Sequence, residues 1–264
     1  MTPLLALLVA PTAYAGAIGL HLSLARARHN QVSQGPPPPP AALLAEVRRR
    51  WLVRSWALAP VEVPPVSSRS LVLCVHGFVG RPSHFRGLQR FLHPRRIPTR
   101  AVDLGWRFRG VPSYGPPLLE ALQEVDRCRV VAHSMGGIVL RHVLSEHPEL
   151  AAKISHVVTL GSPHAGTAAA ELPGVPRERL PRALPTDIEH LAPDSDFLQR
   201  LPGLGELLPE AVRVAVAASW DVTVFPVERA LPEDMDHVLL DGFGHMGLLT
   251  EPTAHQAVFD AIER

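Results

Sequence analysis

A serine lies between small residues at the point where a short apolar run gives way to helical spacing. The segment Ala132-His133-Ser134-Met135-Gly136-Gly137 follows two valines, and apolar side chains recur after it at positions 138, 139, 140, 143 and 144. This pattern predicts a buried strand, a sharp turn at Ser134 and then an α-helix. Such a turn is typical of a nucleophile elbow, which exposes the hydroxyl beside the free N–H groups of the helix. The alternative is a chance turn of small residues.

A serine nucleophile needs a histidine as general base, and the histidine needs a carboxylate that holds its tautomer. Asp221 follows a predicted strand at 212–218, and His245 follows another at 238–240 after a glycine-containing turn. The order nucleophile, acid, histidine along the chain therefore predicts Asp221 as the acid and His245 as the base.

Other residues are alternatives for these two roles. The rival acids are Asp194, Asp196, Asp236 and Asp241, and the rival bases are His164 and His237. Asp241 reads as a turn former, because it is too close to His245 in sequence to reach across a site. We expect the ring of His133 to point away from the serine and to be structural, and Asp103 to anchor a turn.

The first predicted strand, at 71–75, ends in His76-Gly77-Phe78. A His-Gly turn at that place would let the following backbone N–H face the serine. We therefore expect the N–H groups of Phe78 and Met135 to form an oxyanion hole, with His76 and Gly77 as the supporting loop. One such donor lowers the barrier by roughly 3 kcal/mol. A plain glycine turn is the alternative.

The elements that must position these residues alternate between strands and helices. The continuous apolar run at 71–75 predicts a strand buried on both faces, and further strands are predicted at 99–104, 154–160, 212–218 and 238–240. Helical spacing lies between them and closes the chain at 253–263. This alternation predicts an α/β fold with a mostly parallel central sheet flanked by helices. In such sheets functional residues collect at the carboxyl ends of the strands, where Ser134, Asp221 and His245 are predicted to lie.

The first 30 residues predict a membrane anchor. Residues 3–25 carry no formal charge, and the apolar run at 4–24 is about long enough to cross a bilayer as a helix. Arginines follow it at 26 and 28. One alternative is a signal segment that is cleaved near Ala15, which would make the protein secreted. Another is a buried core helix. The side of the membrane stays open.

Residues 31–65 predict a linker and a basic helix. Five prolines at 36–40 form a stiff spacer, and the helix at 41–56 carries four arginines. This helix either lies on anionic lipid beside the anchor or packs on the domain. Residues 66–264 form the predicted catalytic domain. Within it, the proline-rich stretch at about 161–209 predicts a small cap, which either lines an acyl groove, acts as a lid or is an ordered surface loop.

The net charge and the residue composition exclude some classes of function. A formal net charge of +1 over 264 residues gives no electrostatic footprint for nucleic acid. Cys74 and Cys128 both fall in predicted buried strands, so we expect free apolar thiols, with a disulfide as the alternative. No cluster of histidine or cysteine has metal-ligand spacing, and we expect neither a metal nor a cofactor.

Five motifs, taken in order, resemble those of bacterial lipases and esterases of the α/β-hydrolase superfamily. They are His76-Gly77-Phe78, Ala132-His133-Ser134-Met135-Gly136-Gly137, the segment 159–167, Ser219-Trp220-Asp221 and the segment 244–249. The likeness covers about residues 70–264. The members that the chain resembles include some with an N-terminal membrane segment. It implies the α/β-hydrolase fold, with Ser134, Asp221 and His245 as the triad and the backbone N–H groups of Phe78 and Met135 as oxyanion donors.

Two departures from the family pattern stand out. Ala132 replaces the first glycine of the elbow, although the small lipases that the chain resembles also carry alanine there. The calcium-site aspartates of larger calcium-dependent lipases have no clear counterpart near His245, which agrees with the expectation of no metal.

The resemblance implies a serine hydrolase that cleaves carboxylic esters, of lipids or acylglycerols, through an acyl-serine. A thioesterase, a phospholipase or an acyltransferase would use the same triad, and the fold does not choose between them. A non-catalytic, membrane-tethered binding protein is the alternative from another class. The expected partners are an ester or lipid substrate and, through the N-terminal segment, a membrane, but not nucleic acid.

Overall fold

The computed structural model describes residues 38–56, 71–170, 186–193 and 195–264, together with residues 26, 27, 29 and 32. In this part of the chain six strands form one sheet, in the order β2-β1-β3-β4-β5-β6, and every neighbouring pair is parallel. The strands are β1 Val72–Val75, β2 Thr99–Val102, β3 Cys128–His133, β4 Ile154–Leu160, β5 Val212–Ala218 and β6 Asp236–Leu240.

Nine helices are described around this sheet, and several short 3-10 turns connect them. They are α1 Pro40–Ser55, α2 Arg86–Leu92, α3 Gly115–Gln123, α4 Met135–Glu146, α5 Thr186–His190, α6 Asp196–Arg200, α7 Leu204–Leu207, α8 Gly247–Thr250 and α9 Pro252–Ile262.

The strands are apolar on both faces because both faces of the sheet are covered. In β1, Leu73 and Val75 join the core cluster that also contains residues of α3 and α4. Val72 and Cys74 point to the opposite face and pack with residues of α2, α8 and α9. Since successive side chains of a strand alternate between faces, a strand covered on both sides must be apolar throughout. The predicted parallel sheet with flanking helices is thus confirmed.

The second strand is shorter than the sequence suggests. The pattern predicts a strand over 99–104, and β2 ends at Val102. The N–H of Leu104 donates to the His76 Nε2 atom at 3.1 Å. The chain therefore turns towards the end of β1 instead of continuing the ladder.

The prediction of a membrane anchor, and with it a membrane-anchored location, is wrong on this structure. Across the described ranges no helix is long and apolar enough to cross a bilayer. The helix that follows the predicted anchor, α1, has 16 residues and includes four arginines, which is too short and too charged for a span. Residues 1–25, which include the cleavage position considered near Ala15, lie outside the described residues.

Helix α1 packs on the domain, which was one of the two alternatives. It contacts α8 and the 3-10 turn Pro82–Phe85, and Val53 is fully buried in the core beneath it. On its outer side Arg49 forms an ion pair with Glu251 at 2.7 Å. Two leucines of the same helix, Leu44 and Leu52, are exposed.

Both cysteines are buried free thiols, as expected. Burial raises the pKa of Cys128 to about 12 and also raises that of Cys74. The predicted cap at 161–209 is described only in part, because residues 171–185 and 194 lie outside the described ranges. Its described portion contains α5, α6 and α7.

Candidate active site

Ser134 lies in a strained turn between β3 and α4. Its backbone has φ 57° and ψ −132°, a region that residues other than glycine seldom occupy. Its N–H donates to the Leu160 carbonyl at 2.9 Å, which ties the turn to β4. A Cβ on Gly136 would lie 2.5 Å from the Val75 carbonyl oxygen. Only glycine therefore lets α4 pass so close to β1, as the elbow pattern predicts.

His245 and Asp221 form a buried pair. His245 Nδ1 lies 2.7 Å from Asp221 Oδ2, and both side chains are almost inaccessible to solvent. The other carboxylate oxygen, Oδ1, accepts hydrogen bonds from the N–H groups of Thr223 and Val224 at 2.7 and 2.8 Å. The bond to Asp221 requires the proton of a neutral imidazole to be on Nδ1, which leaves Nε2 as a proton acceptor.

Ser134 and His245 line the same cavity, whose volume is about 480 Å³. Much of the wall is apolar and comes from Phe78, Val79, Trp106, Pro163, Ile188, Leu191, Val224 and Met246. Asp221 lies behind His245, away from the cavity. This is the order that proton transfer from a serine hydroxyl requires, because the carboxylate acts on the side of the ring opposite the hydroxyl.

The loop after β1 is shaped by the side chain of His76. Its Nδ1 donates to the Gly77 carbonyl at 2.9 Å, while its Nε2 accepts the Leu104 N–H. Burial lowers the pKa of His76, and a neutral ring with one donor and one acceptor satisfies both bonds. The Gly80 N–H also donates to the Gly77 carbonyl, at 3.0 Å. Because C=O and N–H of a trans peptide point in opposite directions, the Phe78 N–H is directed away from these donors.

The same loop is strained one residue further on. Val79 has φ 53°, a genuine outlier for a β-branched residue, and it lines the cavity. Such strain clusters at functional sites, where the surrounding contacts hold it. One of those contacts is a hydrogen bond of 3.0 Å from Trp106 Nε1 to the Gly80 carbonyl.

None of the rival acids that the structure describes reaches the cavity. Asp196 and Asp236 are exposed and pair with Arg200 and Arg264 at 3.6 and 2.6 Å. Asp241 is exposed in the turn after β6. Asp194 lies outside the described residues.

The rival bases are also engaged elsewhere. His164 is buried, and its Nε2 contacts the Thr159 hydroxyl at 3.0 Å. Burial lowers the pKa of His164 to about 3. His237 donates from Nε2 to the Pro232 carbonyl at 2.8 Å. Asp103 accepts the Gly105 N–H at 3.0 Å, which is the turn-anchoring role expected of it.

His133 contacts His245, a contact that the elbow sequence did not indicate. Its ring packs against the ring of His245 with 4.6 Å between centroids, and it lines the cavity. Its Nε2 donates to the His245 carbonyl at 3.4 Å. Burial lowers the pKa of His133 well below its usual value, and the nearby His245 lowers it further. A neutral ring therefore supports the backbone of His245.

Two residues of α1 contact the site, and no sequence motif identified them. Glu46 Oε1 accepts a hydrogen bond of 2.9 Å from the Met246 N–H. Arg50 donates from Nη2 to the Thr223 hydroxyl at 2.9 Å. The one available hint is that Glu46 is the single acidic residue in a helix with four arginines.

Comparisons with known proteins agree with this architecture. Residues 118–172 match the family model described as a PGAP1-like alpha/beta domain, a stretch that contains Ser134 but neither Asp221 nor His245. A comparison with curated proteins found no match.

Solved structures match over most of the chain. Bacillus licheniformis lipase BlEst2 in its mature form is 16% identical with a TM-score of 0.60, over 77% of this chain and 96% of that one. Aspergillus fumigatus lipase B is 15% identical with a TM-score of 0.63, over 76% of this chain and 55% of that one. A pyrethroid hydrolase from Sphingobium faniae JZ-2 is 16% identical with a TM-score of 0.53, over 74% of this chain and 97% of that one.

At these identities the likeness concerns the fold. The parallel six-stranded sheet, the helices on both of its faces and the turn at Ser134 are shared features of that fold. The chain therefore has the α/β-hydrolase fold.

Proposed function

We propose that the protein is a serine hydrolase that cleaves carboxylic esters. The observation that carries the proposal is the 2.7 Å contact between His245 Nδ1 and Asp221 Oδ2, behind a cavity that His245 shares with Ser134. The lipases among the structural neighbours support the same reaction class. In this proposal Ser134 is the nucleophile, His245 the base and Asp221 the acid.

The proposed reaction has two halves. The Ser134 hydroxyl attacks the acyl carbon while His245 Nε2 takes its proton, and the imidazolium then protonates the leaving alcohol. The bond between the acyl carbon and the alcohol oxygen breaks, which leaves an acyl-serine. Water then attacks with His245 again as base, and the acid product leaves with the serine restored. Asp221 accepts a hydrogen bond from the Nδ1–H of His245 throughout.

The N–H groups of Phe78 and Met135 are the proposed oxyanion donors. Met135 is the first residue of α4, where backbone N–H groups have no partner within the helix. The Phe78 N–H belongs to the same peptide as the Gly77 carbonyl, which accepts hydrogen bonds from His76 and Gly80. We assign both donors to the negative charge that develops on the acyl oxygen, where fixed donors contribute most.

The test is labelling by a fluorophosphonate probe, which reacts with an activated serine. The wild-type protein should be labelled and Ser134→Ala should not. Ser145→Ala, which removes a hydroxyl that donates to the His142 carbonyl within α4, is the matched control and should label like the wild type. Equal labelling of Ser134→Ala and the wild type would contradict the proposal.

We infer an apolar acyl group from the cavity wall. Six of its side chains are aliphatic or aromatic and come from segments before and after Ser134 in the chain: Phe78, Val79, Trp106, Ile188, Leu191 and Val224. A series of p-nitrophenyl esters should show kcat/KM rising with chain length from acetate. Acyl-thioesters of the same lengths run beside them distinguish a thioesterase, which would turn over the thioesters alone.

A second candidate is hydrolysis of an ester that also carries a phosphate or carboxylate, as a phospholipid does. Arg50, Arg54 and Arg81 lie on the cavity wall, and no aspartate or glutamate is among its described lining residues. Arginine suits planar anionic groups. In mixed detergent micelles, Arg81→Gln should lower kcat/KM for a phosphatidyl ester and leave a neutral diglyceride ester unchanged. An equal loss on both substrates would reject this candidate.

A further inference from the structure

Helix α1 buries a carboxyl group beside the backbone of His245. Glu46 is only 2% exposed, whereas Leu44, two residues earlier in the same helix, is 65% exposed. Burying a carboxyl group while a leucine faces solvent is the reverse of what packing alone would select, because an ion loses several kcal/mol of hydration when it is buried. The hydrogen bond from the Met246 N–H to Glu46 Oε1 is the contact that the burial makes possible.

Arg50, one helical turn further on, connects Glu46 to the loop that carries Asp221. Its Nε lies 3.7 Å from Glu46 Oε1. Its Nη2 donates to the Thr223 hydroxyl at 2.9 Å, and the Thr223 N–H donates to Asp221 Oδ1 at 2.7 Å. The helix therefore contacts the surroundings of the histidine and of the aspartate at once.

These contacts close a ring around the His245–Asp221 pair. One side of the ring is the direct 2.7 Å bond, and the other side runs through Arg50 and Glu46 to the peptide that follows the histidine. The second oxygen of Glu46 lies 3.1 Å from the position of a Cβ on Gly244, the residue before His245. Glu46 thus meets the backbone on both sides of the histidine.

We propose that Glu46 is a positioning residue for His245. Its carboxyl fixes the peptide after His245, so that the imidazole meets Asp221 on one side and Ser134 on the other. This proposal rests on the proposed ester hydrolysis.

The charges around the imidazole come from several elements. Burial raises the pKa of Glu46, Arg50 and His245 lower it, the Met246 N–H lowers it, and Asp221 raises it. Glu46 and His245 therefore interact electrostatically. The other charged or titratable groups that face the pair or the cavity are His29, His84, His133, Arg54 and Arg81.

Three variants separate positioning from simple attachment of the helix. Glu46→Gln keeps an oxygen acceptor for the Met246 N–H and removes the charge, whereas Glu46→Ala removes both. Arg49→Met is the matched control, because it breaks the ion pair of α1 with Glu251 on the side away from the cavity.

We expect Glu46→Ala to lower kcat by about 10- to 100-fold with little change in KM, as misplaced catalytic groups do. Arg49→Met should stay within about threefold of the wild type, as partly exposed ion pairs contribute little. Glu46→Gln, which keeps the acceptor for the Met246 N–H, should retain most of kcat, so that the conservative variant rescues what alanine loses. Thermal unfolding of each variant confirms that it is folded. A folded Glu46→Ala with the kcat of the wild type would overturn the proposal, as would equal losses in Glu46→Ala and Arg49→Met.

The proton NMR resonance of the His245 Nδ1–H, which the hydrogen bond to Asp221 moves to low field, tests the same contact without turnover. The resonance is assigned with His245→Gln, and it should persist in Glu46→Gln and be lost or broadened in Glu46→Ala. If the wild type neither labels with fluorophosphonate nor turns over any ester, while Glu46→Ala still loses this resonance, ester hydrolysis is rejected and the effect of Glu46 on His245 is supported. An unchanged resonance in folded Glu46→Ala overturns the proposal.

Discussion

A Cβ atom on Gly77 would lie 2.6 Å from the Cβ atom of Ser134. Carbon atoms that are not bonded prefer about 3.5 to 4.0 Å, so no side chain fits at residue 77 while the elbow keeps its shape. The loop after β1 therefore packs directly against the elbow turn. In the proposed mechanism, this contact brings the next peptide, with the Phe78 N–H, to the side of the serine.

Gly77→Ala should damage catalysis more than folding. The added methyl group displaces the Phe78 peptide or the serine, and loss of one oxyanion donor lowers kcat by about 10²- to 10³-fold. Steady-state kinetics with a short p-nitrophenyl ester measures the loss. Gly115→Ala is the control, since a Cβ there meets Val143 at an ordinary 3.4 Å and lies away from the cavity. Activity of Gly77→Ala within tenfold of the wild type would contradict the oxyanion assignment.

Asp221→Asn should lower kcat by about 10⁴-fold with little loss of stability. The amide oxygen can still accept the N–H groups of Thr223 and Val224, but its NH₂ group then faces His245 Nδ1 and selects the wrong tautomer. Rates of ester turnover and of fluorophosphonate labelling should fall together. Asp236→Asn, which removes an exposed partner of Arg264, should leave both rates unchanged. A fast Asp221→Asn enzyme would reject Asp221 as the acid.

Glu46→Gln should become more stable than the wild type as pH rises. Burial raises the pKa of Glu46 in the folded chain above the 4.5 of an ordinary glutamate. A carboxyl group whose pKa is raised by folding stabilises the fold below its unfolded pKa and loses that contribution as pH rises through the folded pKa. Glutamine does not titrate, so the free energy of unfolding of the variant should gain on that of the wild type from about pH 4.5 upwards.

Urea unfolding at pH 5 and pH 8 measures this difference. Glu251→Gln, which removes the partner of Arg49 at a more exposed position, is the control and should show a small and similar change at both values. A gain of the wild type over Glu46→Gln at pH 8 would have the wrong sign and would contradict the assignment of burial as the dominant effect.

Arg141→Met should destabilise the protein by about 3 kcal/mol. The guanidinium is buried and donates to three backbone carbonyls, those of His164, Leu201 and Pro202, at 2.8, 2.5 and 2.9 Å. Methionine keeps the volume and leaves these carbonyls without their donor. Arg200→Met, at an 82% exposed side chain, should stay within about 0.5 kcal/mol of the wild type. Urea unfolding compares the two, and equal effects would refute the role of Arg141 as a buried clamp.

The residues at strand ends could be anticipated because their positions follow from the fold. Asp221 and His245 come just after predicted strands, and the carboxyl ends of parallel strands meet along one edge of the sheet. The local sequence does not give the distance between the two side chains, but the topology of the sheet leaves few other positions for them. The turn at Ser134 is similar, since strand spacing, small residues and helix spacing all identify it.

Contacts between distant segments could not be anticipated in the same way. Glu46 and Met246 are 200 residues apart, and no periodicity relates them. The elbow sequence alone does not reveal the contact of His133 with His245, because that contact depends on where a loop 112 residues later returns. The membrane prediction used hydropathy alone, which describes the composition of a segment and not its position in the fold.

The hydrogen bond between Glu46 and the Met246 amide also sets an order of events during synthesis. Domains fold progressively as the chain leaves the ribosome, and Glu46 emerges long before the amide that it is to hold. Until the segment after β6 has emerged, His245 is absent and Glu46 lacks the Met246 amide that it binds. We therefore expect the proposed hydrolase to be inactive as a nascent chain and to gain activity only when α8 packs against α1. Cutting the chain between these two helices and separating the pieces should abolish it again.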